Sequence, residues 1–325
     1  MTAPSQLTST GHETKECSAI DQEPTVPGRP GPDGPERPTE RGGEAAPVEL
    51  RADCIADSAG GLTFDLNAPH DLHTTWNAAL VLRLRGGDGA DDEVRLPLGP
   101  NGAGRLRAVL PSTVALAEGR WNAYADLGDG RDLRRLLPGV NDLRSLVDRR
   151  PLAGIGRLGV RIPYATKFGN LALRSWLRGP HAEAGDILVA PHGMTVSGRI
   201  YGAVPAAGAC AEARPRRIPA SPDGASATVT VPLTVEGADF TFTLPYAELA
   251  DRWEQGKEPW DLWLRLAEGA RPVRIARLLD DVADKKQVFS YPALPVPAAA
   301  GELRIGPYYT LDNDLALRVA GPDGS

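Results

Sequence analysis

The sequence predicts an all-β protein: two tandem immunoglobulin-like antiparallel β-sandwiches, residues 48–178 and 179–325, behind a disordered tail of residues 1–47. Three observations predict it. The second half of the chain repeats the first; its apolar residues alternate with a period of two; and turn residues are frequent, with 36 Gly and 30 Pro among 325 residues against 6% aromatics.

The repeat emerges when the second half is slid over the first. Gly61-Leu62-Thr63-Phe64 answers Gly193-Met194-Thr195-Val196 at an offset of 132, and Val94, Leu96, Pro97 and Leu98 answer Val229, Val231, Pro232 and Leu233 at 135. Leu110-Pro111 answers Leu244-Pro245 at 134, and Trp121, Tyr124, Leu127 and Gly130 answer Trp260, Trp263, Leu266 and Gly269 at 139. Tyr164–Arg174 (YATKFGNLALR) answers Tyr308–Arg318 (YYTLDNDLALR) at 144, with six of eleven positions identical. Five matches in one chain order, drifting by no more than a loop, point to tandem duplication with a seam near Gly179-Pro180.

Each element follows from alternation. Ala227, Val229, Val231, Leu233 and Val235 face one way and Thr228, Thr230, Pro232 and Thr234 the other. Phe240, Phe242 and Leu244 alternate with Thr241 and Thr243, and Trp260, Leu262, Leu264 and Leu266 with Asp261, Trp263 and Arg265. Leu158, Val160 and Ile162, then Leu171 and Leu173, continue the pattern in the first copy. Gly86-Gly87-Asp88-Gly89, Gly128-Asp129-Gly130, Ser221-Pro222-Asp223-Gly224 and Glu268-Gly269 read as turns. Over 133–147 a short helix competes with a strand, because Leu136, Leu137, Val140, Leu143 and Val147 fit a 3.6-residue face; Pro138 and Gly139 weaken it. Trp121 and Trp260 are expected between the sheets.

The tail carries eight acidic and four basic residues, which leaves 34 acidic and 32 basic in the remaining 278. Its Pro-rich, apolar-poor composition cannot offset the entropy of ordering. A near-neutral body lacks the dominant positive field of a nucleic-acid binder. With no secretory signal in Met1–Thr10 and no apolar run of membrane-spanning length, a cytoplasmic location without a transmembrane segment is expected.

The catalytic inventory is thin. Of the histidines His12, His70, His73, His181 and His192, only His70 and His73 are close, and both read as ordinary loop residues. Cys17 falls in the tail, and Cys54 and Cys210 stand apart with no CxxC pair. Gly99–Arg105 is glycine-rich without a Walker lysine and reads as a hairpin loop; Asp312-Asn313-Asp314 offers too few oxygens for calcium and reads as a turn. No cofactor and no metal are expected. Two features stand above this background. Arg131, Arg134 and Arg135 in one copy and Arg271, Arg274 and Arg277 in the other form either a solvated face or a surface that holds phosphate or carboxylate. Tyr124 and Trp263 point away from the core, either as a platform for sugar rings or a partner, or packed beneath a loop or the neighbouring domain.

A strand of the form W-(D/N)-x-(Y/W), a basic segment, and closing segments at Arg161–Arg174 and Arg304–Arg318, the second with one extra residue at Gly306, resemble the repeated β-sandwich modules that accompany actinobacterial cell-wall glycopolymer transferases. The resemblance covers most of residues 48–320. Such modules are appended to glycosyltransferase or CDP-glycerol glycerophosphotransferase domains; with 278 residues spent on two sandwiches, this chain leaves no room for that domain, and no catalytic residue carries over. The resemblance implies a non-catalytic binding or scaffolding protein linked to envelope glycopolymer or glycan assembly, whose partner is an anionic glycan or glycopolymer precursor or a transferase. Two alternatives stay open: a glycosyl- or glycerophosphotransferase with a site at the interdomain seam using His181, His192 and Asp312, and a structural or oligomerisation subunit.

Overall fold

Alternating side chains on the body's strands decide its layers, as a computed structural model describing residues 49–67, 76–147, 149–154, 156–216, 228–299 and 301–321 shows. The tail, Cys17, His12, His70, His73, Ala227 and the turn at 221–224 lie outside the described residues.

The first half holds β1 (Leu50–Ala56), β2 (Leu62–Asn67), β3 (Ala79–Leu84), β4 (Glu93–Pro97), β5 (Gly99–Pro100), β6 (Leu106–Leu110), β7 (Gly119–Asp126), β8 (Arg134–Asp142), β9 (Leu158–Ala165) and β10 (Leu171–Arg178). One layer runs β5-β6-β2-β1-β8, the other β4-β3-β7-β10-β9. β8 joins them: Arg134 and Arg135 pair antiparallel with Ala125 and Tyr124 of β7, after which Leu136 onward pairs parallel with β1. The second half holds β11 (His181–Ala190), β12 (Gly193–Tyr201), β13 (Cys210–Pro215), β14 (Val229–Pro232), β15 (Thr234–Glu236), β16 (Asp239–Pro245), the short helix α1 (Tyr246–Ala250), β17 (Lys257–Arg265), β18 (Val273–Ala276), β19 (Leu294–Ala298), β20 (Gly301–Tyr309) and β21 (Leu315–Ala320). Its layers run β15-β16-β12-β11-β18 and β14-β13-β17-β21-β20-β19. β18 changes layers as β8 does, from Trp263 and Leu264 of β17 to Ala182 and Glu183 of β11. Apart from β19, every strand of the second half takes the pairing position of one in the first.

The expected all-β, tandem-sandwich class is the observed one. Trp121 and Trp260 are fully buried between the layers, with Ala123, Ala125, Leu262 and Leu264 beside them. The alternation over 229–236 holds, but Leu233 breaks the run into β14 and β15. Over 133–147 the strand wins, followed by a single 3₁₀ turn at Arg144–Leu146. Gly139 permits the close approach of β8 to β1, since a Cβ there would sit 2.0 Å from Asp53 Oδ1 and 3.0 Å from the Ala52 backbone, where the two strands slip register. Asn101 Oδ1 accepts the amides of Ala103 and Arg105 to make the expected hairpin loop. The Asp312–Asp314 segment is the β20–β21 turn, with Asn313 in the left-handed region at φ 60°.

Two connections bind the halves into one compact unit within Pro47–Ser325. Ala276, the last residue of β18, and Leu278 just beyond it are buried in the core of the first sandwich. Next to them, the buried Lys285 at the start of helix α2 (Lys285–Val288) donates from Nζ to Asp280 Oδ1 at 2.6 Å and to the Val282 carbonyl at 2.8 Å. The β20–β21 turn also docks on β10: Arg174 pairs with Asp312, Arg178 Nη1 meets Asp314 Oδ1 at 2.8 Å, and Trp176 Nε1 donates to the Asp312 carbonyl at 3.2 Å.

Candidate functional site

Corresponding strands carry corresponding polar clusters on their outer faces, and their charges differ. On β7, Tyr124 lies beneath Arg135, whose Cζ is 4.7 Å from the ring centre, with Arg83 at 5.9 Å. On β17, Trp263 lies beneath Arg274 at 4.8 Å, with Arg214 at 5.5 Å. Two residues before each ring sits a polar residue that ties the arginines together. Arg85 Nε and Arg135 Nη2 donate to Asn122 Oδ1 at 2.9 and 2.8 Å, whereas Arg216 and Arg274 donate to Asp261 at 2.6 and 2.7 Å.

Three positions set the charge. In the second sandwich Asp261 is joined by Asp314, whose Oδ2 lies 3.4 Å from Arg274 Nε, and by the buried Glu212, which pairs with Arg214 and Arg265. In the first, the residues at the same pairing positions are Asn122, Asn170 and Val81. Burial works to raise the Asp261 carboxyl, but hydrogen bonds from Arg274 and Arg216 hold it below the ordinary carboxylate range. Burial depresses the Arg135 guanidinium, and the like charge of Arg85 adds to this.

The first sandwich's cluster lines a groove of about 700 Å³. Around Asn122 and Tyr164 it gathers Arg85, Arg120, Arg135, Lys167 and Arg174, and the second half closes one side with Ala283, Asp284 and Leu311. Arg174 is matched by Asp312; among the described residues Arg85, Arg120, Arg135 and Lys167 have no carboxylate partner. Arg120 and Arg174 are direct cross-strand neighbours, a like-charge pairing that ordinarily destabilises a sheet. At the mouth Phe168 is 77% exposed, with Lys167 Nζ 4.8 Å from its ring centre. The acidic lining residue, Asp284, turns Oδ1 to the Lys286 amide as the cap of α2. Planar guanidinium donors, a free ammonium and an exposed ring together suit an anion carried on a sugar.

The other residues singled out in the sequence are held apart. Arg131 and Arg134 lie beside Asp129, at 3.9 and 2.5 Å; Arg271 is exposed; Arg277 stacks on Phe289 at 5.0 Å and meets Asp280 at 3.2 Å. Tyr124 and Trp263 do point away from the core, with arginines over their rings. His181 is buried, 2.7 Å from Glu183 and stacked on Tyr201; His192 is exposed in the β11–β12 turn; Asp312 serves the docking turn. No hydrogen bond joins any two of these three. Cys54 and Cys210 are buried, and burial, with Asp53 adding, pushes the Cys54 thiol up to about 12. Among the described residues no three His, Cys, Asp or Glu side chains are grouped to hold a metal, and no helix is long and apolar enough to cross a membrane. Sequence proximity found Arg135 but missed Arg85, Arg120, Lys167 and Arg174, which come from the turn just past β3, from β7, from the β9–β10 turn and from β10.

No family model matches the chain, and no curated protein matches it. Among solved structures it is similar to S. aureus TarS at 12% identity and a TM-score of 0.28, over 61% of this chain and 35% of that one. A structure of TarS residues 217–571 gives 11% identity and a TM-score of 0.27, over 61% of this chain and 56% of that one. The match thus spans about a third to a half of those chains' lengths.

Proposed function

We propose that this chain is a non-catalytic tandem β-sandwich protein, built by duplication as residues 48–178 and 179–325, that binds an anionic glycan of envelope glycopolymer assembly in the groove of its first sandwich. The carrying observation is the set of cations around Asn122 that the second sandwich neutralises and the first does not. Keeping such charges together costs stability, and a bound anion would offset it. The exposed Phe168 beside Lys167 favours a sugar-borne anion over a bare one. The cytoplasmic setting and a partner transferase belong to the same reading.

The test is a titration of glucose 1-phosphate and of short poly(glycerol phosphate) into the full chain and into Asn122→Asp. Asp261 shows that the framework accepts a carboxylate at this position, so the variant is expected to fold. The full chain should bind and the variant should lose about tenfold or more, roughly the worth of one neutralised bidentate contact. Equal binding by both proteins, or binding of neither probe by the full chain, overturns the reading.

A further inference from the structure

A second basic cavity lies on the other side of α2. It measures about 360 Å³ and is lined by Lys286, Arg304 and Arg318 together with Phe289, Tyr291 and Tyr308, with no carboxylate among its lining residues. Arg318 places its Cζ 4.7 Å from the centre of the Tyr308 ring. Arg304 donates to the Ala293 carbonyl at 2.7 Å, and neither Lys286 nor Arg318 has a carboxylate partner among the described residues. Lys286 and Arg318 are both exposed.

The cavity and the groove share a wall. Asp284 faces the groove and Lys286 the cavity, and two residues of chain span at most about 7 Å. Leu311, in the β20–β21 turn, and Tyr308, near the end of β20, repeat the arrangement. The wall is fixed in place by the buried Lys285–Asp280 pair, by Asn313, whose Oδ1 accepts the Lys285 amide at 3.1 Å, and by the docking of Asp312 and Asp314 on β10.

We propose that the cavity of Lys286, Arg304 and Arg318 is a second anion site, and that with the groove it forms a two-site track for one chain of a phosphate-bearing glycan polymer. It rests on the groove reading only in taking the groove as the first site. Two adjacent basic sites on one rigid wall are of little use to a monomer. A polymer occupies both, and its second contact forms at the high effective concentration set by the first. The cavity's rings that could stack nucleobases are partly taken: Phe289 and Tyr308 each carry an arginine. That favours sugar and phosphate over a single-stranded nucleic acid.

The experiment compares poly(glycerol phosphate) of about three units with chains of about fifteen, spanning the reach of one and of two sites. It uses the full chain, Asn122→Asp, and the double variant Lys286→Gln/Arg318→Gln, whose changes are at exposed positions and whose folding is verified by thermal unfolding. The full chain should bind long polymer about tenfold or more tighter per chain than short. The double variant should lose that gain and keep its affinity for the short chain. A gain that persists in the double variant, or no gain with length, overturns the second site and leaves the groove intact. Loss of long-chain binding in the double variant without any short-chain binding by the full chain supports the cavity and sinks the groove. Equal or tighter binding of a single-stranded oligonucleotide of matched charge overturns the assignment to glycan.

Discussion

Asn122 and Asp261 stand at the same pairing position of corresponding strands, each two residues before an arginine-covered ring, and each accepts from two arginines; one is neutral and the other charged. The same framework thus yields a closed ion pair network in one sandwich and a cationic surface in the other.

Opposite shifts in stability should follow from exchanging the two residues. Asn122→Asp should stabilise the fold, since it gives Arg85 and Arg135 a carboxylate, whereas Asp261→Asn should cost about 1–3 kcal/mol by stripping Arg216 and Arg274 of theirs. Because the folded-state carboxyl of Asp261 is lowered, its contribution is present above the ordinary carboxylate range and fades as pH falls through the folded value. Urea unfolding should therefore separate Asp261→Asn from the parent at neutral pH and bring the two together in strong acid. A gap that persists unchanged in acid contradicts this account.

Removing Asp312 separates folding from binding. Arg174 has a side chain only 8% exposed and depends on that carboxylate, so Asp312→Ala should destabilise by about 1–3 kcal/mol. It should also tighten anion binding, because Arg174 adds an uncompensated charge to the groove. A variant that is less stable and binds more weakly would place Asp312 on the structural side alone.

The Lys285–Asp280 pair is fully buried on the lysine side, and burial pulls the Lys285 ammonium below its ordinary range while Asp280 pushes it back up. Lys285→Met should cost about 3–5 kcal/mol, because it strands the Asp280 carboxylate. Adding Asp280→Asn should recover most of the loss. A double variant no better than the single would show that the pair is not the source of the cost.

Tyr246 is fully buried in the second core, and its hydroxyl has no partner among the described residues. Tyr246→Phe should leave stability unchanged or raise it by about 1 kcal/mol. Burial pushes the phenol up to about 12, so the folded state favours its protonated form; stability from this group is full below the ordinary tyrosine range and drains away as pH rises toward 12. Thermal unfolding between pH 9 and 12 should fall off less steeply in the variant than in the parent, a window read from the ordinary phenol range and the raised value. Parallel curves would contradict the assignment.

The fold was legible because strand burial alternates with a period the sequence displays directly, as in Trp121, Ala123 and Ala125 or Trp260, Leu262 and Leu264. The groove was not, because Arg85, Arg120, Lys167 and Arg174 lie far apart along the chain and only strand pairing assembles them. Grouping arginines by nearness selected Arg131 and Arg134, which Asp129 occupies. One signal was available. The aligned closing segments set Asn170 against Asp314, and the tryptophan strands set Asn122 against Asp261, so charge differences between the copies mark the position in the sequence itself. The break at Leu233 was invisible, since a strand interrupted between two partners keeps the same alternation.

Leu278 and Ala276 belong by sequence to the second sandwich and by packing to the first. Severed at the seam, the first half would expose an unfilled hollow and the second an apolar protrusion, so each half alone should be less stable than the whole. The two halves are therefore expected to unfold together, and a destabilising substitution in either should be felt in both.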